Sequence, residues 1–531
     1  MNGSNVDDLQ WLQESEKTRG HDDDPRASTA PAAGQRLSFD LLQKFGQSSS
    51  AAAGLGSPDH EEIVSPDGER LPAEEVVRIA AARIVKFSTH KAGAPSMLQI
   101  PFDPALSHLS DEDLRDVELA ECLLAAAERV GDKQFNHASA LLNLCESLAS
   151  KTGNPLQRLG YCLCQALRDR IAREKTMVAG GGVEQPPSSR RLPDLEESLI
   201  MKSEFAITAM TRGQIPMYQV PHLVVVQAIL EQVASARKIH VIDLRISNGQ
   251  QWVALMQGLV SRWSDRTGPP VHLLRVSAVV VSSSVNGTTV ADHLASIGET
   301  GDRLTKFAES MGLPFRFEIV VMEDGWGFSQ DRFGLNRREE ALVVYSEYGL
   351  RGLMGQPRQA EHVMRVVKQM RPRAMVTIEV EANLNSPNFA QRFVEAMFHY
   401  SGVFENIELG MTRDDPNRVV VETVFVGDKI SNILACEGEE RYMRSVRIGV
   451  WRKFFAQFGM VEVEPSEAAL HQANLFIEKF SSGHPYTISM DGQSMVLGFK
   501  TTPMVCVSTW RFVHLAKLVS NSRDELRVEF Y

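Results

Sequence analysis

The chain has 531 residues, 43% hydrophobic and 23% charged, which is the composition of a globular protein with a sizeable core. Asp and Glu (67) outnumber Lys and Arg (56), and the net charge of −11 argues against a chain drawn as a whole to DNA or an anionic membrane. Neither a membrane-spanning apolar run nor the basic-then-apolar order of a signal peptide is present, so we expect an intracellular protein with six reduced cysteines.

Residues 1–72 are rich in Asp, Ser, Ala, Gly and Pro and lack sustained hydrophobic periodicity. Such a segment buries too little apolar surface to offset the entropy of ordering, so we predict a disordered arm. Two short apolar clusters interrupt it, at 9–12 beside Asp7 and Asp8 and at 37–45. Acidic and apolar mixing is typical of segments that fold on a partner, but composition alone favours incidental apolar residues in a loose tail.

From 73 to 236 the pattern is mostly helical, interrupted by a glycine- and proline-rich loop at 178–194. One helix has Ser110 as its predicted N-cap, acidic residues in its first turn and Gly131 as its stop. Its wide apolar arc is either bundle core, the default for an amphipathic helix, or a partner-binding seam. We expect part of the arc to stay open to a partner. The candidate partner-binding residues are Leu119, Leu123 and Leu124.

After residue 237, β-rich runs alternate with helical runs, which predicts an open α/β sheet of parallel strands with right-handed crossovers. The predicted strands are 239–245, 271–280, 315–322, 341–347 and 374–380. The predicted helices are 250–262, 291–311, 357–370, 387–400, 439–458 and 466–480. The last third suggests added antiparallel strands at one end of the sheet, in β-rich runs that include FENIEL, VVVETVFV, YTISMDG, SMVLGFK and VCVSTWRF.

The first predicted strand ends on a carboxylate and turns into a helix through LRISNGQQW. Ligands of open α/β sheets bind at this edge, where glycines let the backbone approach a phosphate. This turn has only Gly249 where a dinucleotide site needs GxGxxG, and the next strand does not end on an acid. We expect Asp243 to be held by local amides, Gly249 to serve a tight turn and Trp252 to pack the helix on the sheet.

The chain contains no P-loop, HExxH, GxSxG or CxxC motif, and its histidines show no metal-ligand spacing. Glu379 and Glu381 are the most suggestive pair, because they share a face near the end of a central strand. A structural ion pair with Arg351 or Arg373 is favoured over catalysis. We therefore predict no catalytic, cofactor-binding or metal-binding residues and no cofactor.

IHVIDLRISNGQQWVALMQGL resembles the VHIID motif of the plant GRAS proteins, the scarecrow-like and DELLA-like transcriptional regulators. Leucine-rich regions flank it in the family's order, LAECLLAAAERV to LCQALRDRIA before and LASIGETGDRLTKFAESMGLPFRFEIV after. The segment around VTIEVEANLN is similar to the PFYRE region, and ACEGEERYMRSVRIGVWRKFFAQFGM and GFKTTPMVCVSTWRF are similar to the SAW region. The residues that carry the resemblance are the VHIID-like Ile239, His240, Val241, Ile242 and Asp243, and the PFYRE- and SAW-like Glu379, Glu381, Asn383, Trp451 and Trp510.

The resemblance spans 73–512 and implies a Rossmann-like, methyltransferase-like sheet with an α-helical cap. It divides the chain into an arm at 1–72, a cap with the first leucine-rich region at 73–236, an α/β core at 237–512 and a tail at 513–531. Several features depart from the family. The acidic-and-tyrosine motifs of DELLA proteins are absent from the arm, and the tail VHLAKLVSNSRDELRVEFY runs past the usual end with no matched role.

The resemblance implies a nuclear regulator of plant growth, development or signalling. Its implied partners are other GRAS chains and C2H2 zinc-finger or other transcription factors, with DNA contacted indirectly and no membrane. Leu244 and Arg245 replace a common Phe-Asp pair, which weakens a ligand site at the turn. Two alternatives stay open: direct sequence-specific DNA binding, which the acidic balance disfavours, and a small-molecule-binding or methyltransferase-like protein. We interpret the strand-turn-helix unit as scaffold for a protein-interaction surface.

Overall fold

The computed structural model describes residues 70–89, 106–107, 109–178, 216–282, 290–336, 338–412, 415–479 and 485–513. Nearly all of the predicted arm and loop, and the tail beyond Val513, lie outside these residues. Two compact units form, a helical unit from Met1–Arg191 and Asn383–Met443 and a sheet unit from Leu192–Ala382 and Arg444–Tyr531. Among the described residues, no helix has the length and apolarity that a membrane crossing requires.

The helices are α1 (Ala73–Thr89), α2 (Asp111–Gly131), α3 (Phe135–Leu148), α4 (Pro155–Val178), α5 (Pro216–Gln232), α6 (Gln250–Ser264), α7 (Val290–Ser310), α8 (Pro357–Met370), α9 (Phe389–Gly410), α10 (Pro416–Val420), α11 (Gly427–Ala435), α12 (Ile448–Ala456) and α13 (Glu467–Glu478). The strands are β1 (Lys238–Asp243), β2 (Leu273–Val281), β3 (Phe315–Met322), β4 (Glu340–Glu347), β5 (Ala374–Val380), β6 (Met460–Val463), β7 (Tyr486–Asp491), β8 (Ser494–Phe499) and β9 (Thr502–Phe512).

Helix α2 organises the helical unit and begins as predicted. The Ser110 hydroxyl accepts a hydrogen bond from the Asp113 amide at 3.1 Å, and three acidic residues in the first turn favour the positive end of the helix dipole. The apolar arc of α2 is buried against α1, α3, α4 and α9, all within the same unit. Because neighbours surround α2, its core positions extend around most of the helix.

The runs FENIEL and VVVETVFV are helical in the structure, so their assignment to strands is wrong. FENIEL lies in α9, and the second run spans the end of α10 and a six-residue π-helix at Val421–Val426. Helix α9 is buried around nearly its whole circumference. An apolar, β-branched run looks the same in sequence whether it is a strand or a buried helix, and here the tertiary environment decided the outcome.

The sheet unit contains a nine-stranded mixed sheet with the path β3-β2-β1-β4-β5-β9-β8-β7, and β6 pairs with β9. The strands from β3 to β5 are parallel. Their order, 3-2-1-4-5, is that of a doubly wound fold, with α6, α7 and α8 as crossover helices. All five strands were predicted, because the four inner strands β2, β1, β4 and β5 are buried and are nearly continuous apolar runs, while the edge strand β3 is rich in aromatic and β-branched residues.

The other end of the sheet is antiparallel, as predicted, with β9 pairing with β5, β8 with β9 and β7 with β8. The predicted helix at 439–458 is too long, because α12 begins only at Ile448. Gly438 adopts a left-handed φ of 55° in a short turn, and residues 441–447 have no regular structure. The short strand β6 was not predicted.

Candidate functional site at the carboxyl edge of the parallel strands

Carboxylates end three neighbouring parallel strands. Asp243 is the last residue of β1, Glu347 is the last of β4, and Glu379 lies one residue before the end of β5. The chain order reverses between β1 and β4, and ligands of doubly wound folds bind at such a point. The register pairs Asp243 with Tyr345, so these two side chains share a face of the sheet. The fold therefore gathers acidic groups where a cofactor would lie.

Both carboxylate oxygens of Asp243 accept hydrogen bonds from nearby groups. The Arg245 amide donates to Oδ1 at 3.0 Å, and the Trp252 indole N–H donates to Oδ2 at 3.0 Å. The Trp252 ring packs edge-on against Tyr345, with their centroids 5.0 Å apart. Asp243 and Trp252 are both fully buried. As predicted, Asp243 is held locally and Trp252 joins α6 to the sheet.

Glu347 is bound by two side chains of the sheet unit. His222 on α5 lies with Nε2 3.0 Å from one oxygen, and the Tyr345 hydroxyl donates to the other oxygen at 3.0 Å. The next residue, Tyr348, has a left-handed φ of 51°, and its carbonyl accepts a hydrogen bond from Arg245 at 3.1 Å. Side chains of the chain itself thus occupy the ends of β1 and β4. We call Asp243, Trp252, Tyr345, Glu347 and His222 the strand-end cluster.

Burial and ion pairing act differently on the two carboxyl groups of the strand-end cluster. Burial raises the pKa of Asp243 to about 7, although the Arg245 amide opposes this shift. Burial is the largest influence on Glu347 and opposes its ionisation, but the charge and hydrogen bond of His222, the Tyr345 hydroxyl and the charge of Arg245 together hold the pKa of Glu347 below its usual value. Glu347 in turn keeps the pKa of His222 above its usual value despite burial. The Glu347–His222 pair is therefore ionic, whereas Asp243 is readily protonated.

The single glycine of the turn serves helix packing. Gly249 has a left-handed φ of 72°, and a Cβ there would lie 3.1 Å from carbons of both Thr300 and Leu304 on α7. Asn248 accepts a hydrogen bond from the Gln250 amide at 3.2 Å, which satisfies one free amide at the start of α6. Side chains of α7 thus fill the position from which a phosphate would approach the glycine of a dinucleotide site.

Glu379 and Glu381 accept hydrogen bonds from main-chain amides. Glu379 accepts from Leu350 at 3.2 Å, and Glu381 accepts from Ile448, the first residue of α12, at 2.9 Å. Burial raises the pKa of each carboxyl to about 7. Among the described residues, no arginine lies within ion-pair distance of either, so the expected ion pair is not formed. The candidate Arg373 instead donates to the Gln232 carbonyl at 3.3 Å.

His240 and Ser277 lie 2.8 Å apart across β1 and β2, a separation typical of a nucleophile and its base. The Arg275 guanidinium, which only donates, is 2.8 Å from His240 Nδ1, so Nδ1 accepts and the ring proton lies on Nε2. Nε2 then donates to the serine and has no free lone pair to activate it. Burial and Arg275 lower the pKa of His240 to about 3. The pair is a buried structural contact.

The aromatic SAW-like residues form a core cluster in the sheet unit. Trp451 on α12 stacks on Phe455 with centroids 5.7 Å apart, and Phe455 packs edge-on against Trp510 of β9 at 4.7 Å. The Trp510 indole donates to Ser508 at 2.7 Å. Asn383 belongs to the helical unit, where its amide donates to Glu395 at 3.4 Å. In this structure these residues make packing and main-chain contacts.

Leu119, Leu123 and Leu124 are all completely buried in the helical unit. A Cβ added at Gly160 on α4 would lie 3.0 Å from Leu119, which shows how closely the helices approach. The expectation that part of the arc stays open does not hold in this structure, because neighbouring helices cover it. Partner binding by the three leucines stays a prediction that their burial disfavours.

The structure brings Asp243 and Trp252 together with residues that the sequence analysis did not select. Glu347 and Tyr345 come from β4 and His222 from α5. A sequence signal existed for Glu347, because it ends a buried strand just as Asp243 does. No signal existed for His222, since only the packing of α5 in the sheet unit places it near β4.

Comparisons with known proteins agree with this fold. A model of the GRAS domain family matches residues 119–511. The DELLA protein GAIP of Cucurbita maxima is 28% identical over 426 residues, covering 80% of this chain and 67% of that protein. The DELLA protein RGL3 of Arabidopsis thaliana is 30% identical over 395 residues, covering 74% of this chain and 69% of that protein.

The crystal structure of SCL7 in Oryza sativa matches with a TM-score of 0.61 at 25% identity, covering 74% of this chain and 99% of that chain. The family match includes the strand-end residues of β1, β4 and β5 and the aromatic cluster around Trp451 and Trp510. This chain therefore belongs to the GRAS domain family and is a plant GRAS-type transcriptional regulator.

Proposed function

We propose that this chain acts in the nucleus by binding transcription factors, including C2H2 zinc-finger factors, and other GRAS chains, and that it does so without catalysis. The observation that supports this most is the strand-end cluster. Both oxygens of Asp243 are engaged by donors of the chain itself, and Gly249 packs against α7. A doubly wound sheet that fills its own ligand edge with buried side chains is suited to be a scaffold.

The proposed absence of catalysis is tested with S-adenosylmethionine, the cofactor of the methyltransferases that this sheet resembles. We expect isothermal titration of the full chain with S-adenosylmethionine to give no binding heat. The variant Asp243→Asn serves as a control, because it keeps the shape of the edge and removes the charge. Binding by the wild type with micromolar affinity would overturn the scaffold interpretation.

Tethering the chain to DNA tests whether it acts through partner proteins. The full chain is fused to an unrelated DNA-binding domain and expressed in plant cells with a reporter for that domain. We expect reporter output to change only with the tether, because the chain is proposed to reach DNA through other proteins. A matched binding selection with purified chain and random duplex DNA should enrich no sequence. Enrichment of a defined sequence would favour direct DNA binding instead.

A further inference from the structure

The nine-stranded sheet has an open edge at β7. Strand β7 pairs with β8 and with no other described strand. Exposed strand edges carry unpaired main-chain donors and acceptors, and proteins usually protect them with charged residues, proline or a bulge. Residues 486–490 contain no charged residue and no proline, and the β7–β8 register is regular. This edge is therefore suited to accept another strand.

The hairpin turn identifies which groups of β7 point outward. Asp491 and Ser494 are register partners that flank a two-residue turn in which Gly492 has a φ of 62°. Residues that flank such a turn form a hydrogen-bonded pair, and hydrogen-bonded and non-bonded pairs alternate along the ladder. The main-chain groups of Asp491 and Ser489 thus face β8, and those of Met490 and Ile488 face away from the sheet.

The two faces of β7 differ in chemistry. Thr487, Ser489 and Asp491 are exposed on one face. On the other face, Ile488 is half-buried and Met490 is 39% exposed. An added strand should therefore alternate between apolar and polar side chains, with its apolar residues on the face of Ile488 and Met490.

The tail beyond β9 contains such a sequence. Residues 526–531, LRVEFY, place Leu526, Val528 and Phe530 on one face of a strand and Arg527 and Glu529 on the other. We propose that residues 526–531 dock on the outer edge of β7 as an additional antiparallel strand of the same sheet. This inference goes beyond the proposed function and does not depend on it.

One register of residues 526–531 against β7 places apolar side chains together on one face and opposite charges together on the other. With Val528 opposite Met490, Phe530 lies opposite Ile488, and apolar side chains meet on one face. On the other face Arg527 then lies opposite Asp491, and an opposite-charge pair directly across two strands is stabilising. Asp491 already accepts from Arg452 at 3.1 Å, and its other oxygen can accept from a second cation.

The tail is long enough to reach this edge from β9. Val513 is anchored by its amide, which donates to the Gly459 carbonyl at 2.8 Å. Val507 pairs with Met495 of β8, so β9 runs about 17 Å past the level of Met495, and the new strand lies three strand spacings, about 14 Å, to the side. Arg527 lies fourteen residue steps after Val513, and an extended chain of this length spans about 46 Å.

The direction of approach also fits. Strand β9 ends on the side of the sheet where β7 ends, so a returning tail enters at Asp491 and runs antiparallel to β7. The opposite edge at β3 is a poorer match. A strand added there would lie six strand spacings from β9, about 29 Å, and Arg332 donates to the Val321 carbonyl of β3 at 3.4 Å.

Hydrogen exchange of single amides in the full chain tests the docking. Val528→Pro removes a main-chain donor from the proposed strand, and Ser520→Pro in the connecting segment is the matched control. We expect the Ile488 and Met490 amides to exchange about tenfold faster or more in Val528→Pro and at the wild-type rate in Ser520→Pro. The amides of Thr487 and Ser489, bonded to β8, should not change. Equal exchange of Ile488 and Met490 in all three proteins overturns the proposal.

Pairs of introduced cysteines test the register of residues 526–531 on β7 and whether the docked strand belongs to the same chain. Ser489→Cys with Glu529→Cys places two thiols directly opposite in a non-bonded pair, whereas Thr487→Cys with Arg527→Cys is offset by four residues, about 13 Å. Under mild oxidation we expect an intrachain disulfide in the first variant only. No disulfide in either variant, or equal yields in both, overturns the register. Disulfides that join two chains overturn docking within one chain and assign the edge to a second copy.

Discussion

Two buried polar clusters, one in each unit, stabilise their surroundings in different ways. In the helical unit, Arg158 of α4 is 2.9 Å from both Glu422 and Glu408, and Arg418 is 2.8 Å from Glu408. We call these four residues the arginine cluster. The Arg158, Glu422 and Arg418 side chains are at most 2% exposed. Two arginines and two glutamates thus lie together, and three of the four side chains are almost fully removed from solvent.

The strand-end cluster of the sheet unit contains one such pair, Glu347 with His222, beside a carboxyl held by neutral donors. Asp243 accepts from an amide and an indole and has no cation within hydrogen-bond distance among the described residues. Burial raises its pKa to about 7. Burial raises the pKa of Glu422 to about 7 as well, although Arg158 and Arg418 oppose the shift. The comparison shows that burial dominates the pKa of both carboxyl groups, and that the two clusters differ in the groups that oppose it, cations beside Glu422 and mainly neutral donors beside Asp243.

The largest effect is expected from removing the central cation of the arginine cluster. Arg158→Met leaves the Glu422 carboxylate buried beside a side chain that cannot pair with it, and we expect a loss of about 3–5 kcal/mol in unfolding free energy. Urea denaturation followed by circular dichroism measures the loss. Arg168→Met is the matched control on the same helix, because Arg168 and Glu146 form an exposed pair worth about 0–1 kcal/mol. Equal losses in both variants would show that burial is not the deciding factor.

The next largest effect is the pH dependence that Asp243 contributes to the unfolding free energy. Its pKa rises from 3.8 when unfolded to about 7 when folded, so its stabilising contribution is complete below pH 3.8 and is lost as pH rises through 7. Asp243→Asn should remove this slope, which is at most about 1.4 kcal/mol per pH unit. Unfolding free energies of both proteins at pH 4 to 8 measure it. Glu347 has the opposite dependence, but its contribution cancels in the difference between the two proteins. A difference that does not vary with pH contradicts the assignment.

A smaller loss of stability is expected when the indole N–H of Trp252, the neutral donor to Asp243, is removed. Trp252→Phe deletes the indole N–H that binds Asp243 and keeps an aromatic ring against Tyr345, so we expect a loss of about 1–3 kcal/mol. Trp263→Phe lies on the same helix at a residue that is 58% exposed, and it should change stability by less than about 0.5 kcal/mol. Thermal denaturation of both variants measures the two changes in stability. If Trp252→Phe behaves like the control, the indole does not stabilise the cluster.

The smallest effect concerns the turn that brings α6 to Asp243. Gly249→Ala places a side chain at a φ of 72° and 3.1 Å from carbons on α7, so we expect a loss of about 1–2 kcal/mol. Gly298→Ala on α7 has nothing within 4 Å of the added carbon and should stabilise the chain by about 0.5–1 kcal/mol. Melting temperatures that shift in the same direction for both variants would contradict this account of the turn.

Much of the α/β architecture followed from local patterns. Apolar runs separated by amphipathic helices predicted β1 to β5 and their parallel pairing, because crossovers constrain how such units can pair. The lone glycine of the turn was predicted to serve a tight turn, and Gly249 has a left-handed φ of 72° there. The residue pattern of Ser110 predicted the start of α2, since capping depends only on residues close in sequence.

Local patterns did not decide which apolar runs are strands and which polar residues meet. Residues 419–426 are rich in valine yet helical, and the π-helix buries Val421 and Val426 in the helical unit. Leu119 was a candidate for partner binding on the sequence alone, but α4 covers it in the structure. His222 meets Glu347 across 125 positions of sequence, a contact that depends on how α5 packs in the sheet unit. The sequence by itself determined the elements and the absence of a glycine-rich loop, because both depend on neighbouring residues. Only the tertiary structure decided burial, charge pairing and the open edge of β7, because these depend on residues far apart in the chain.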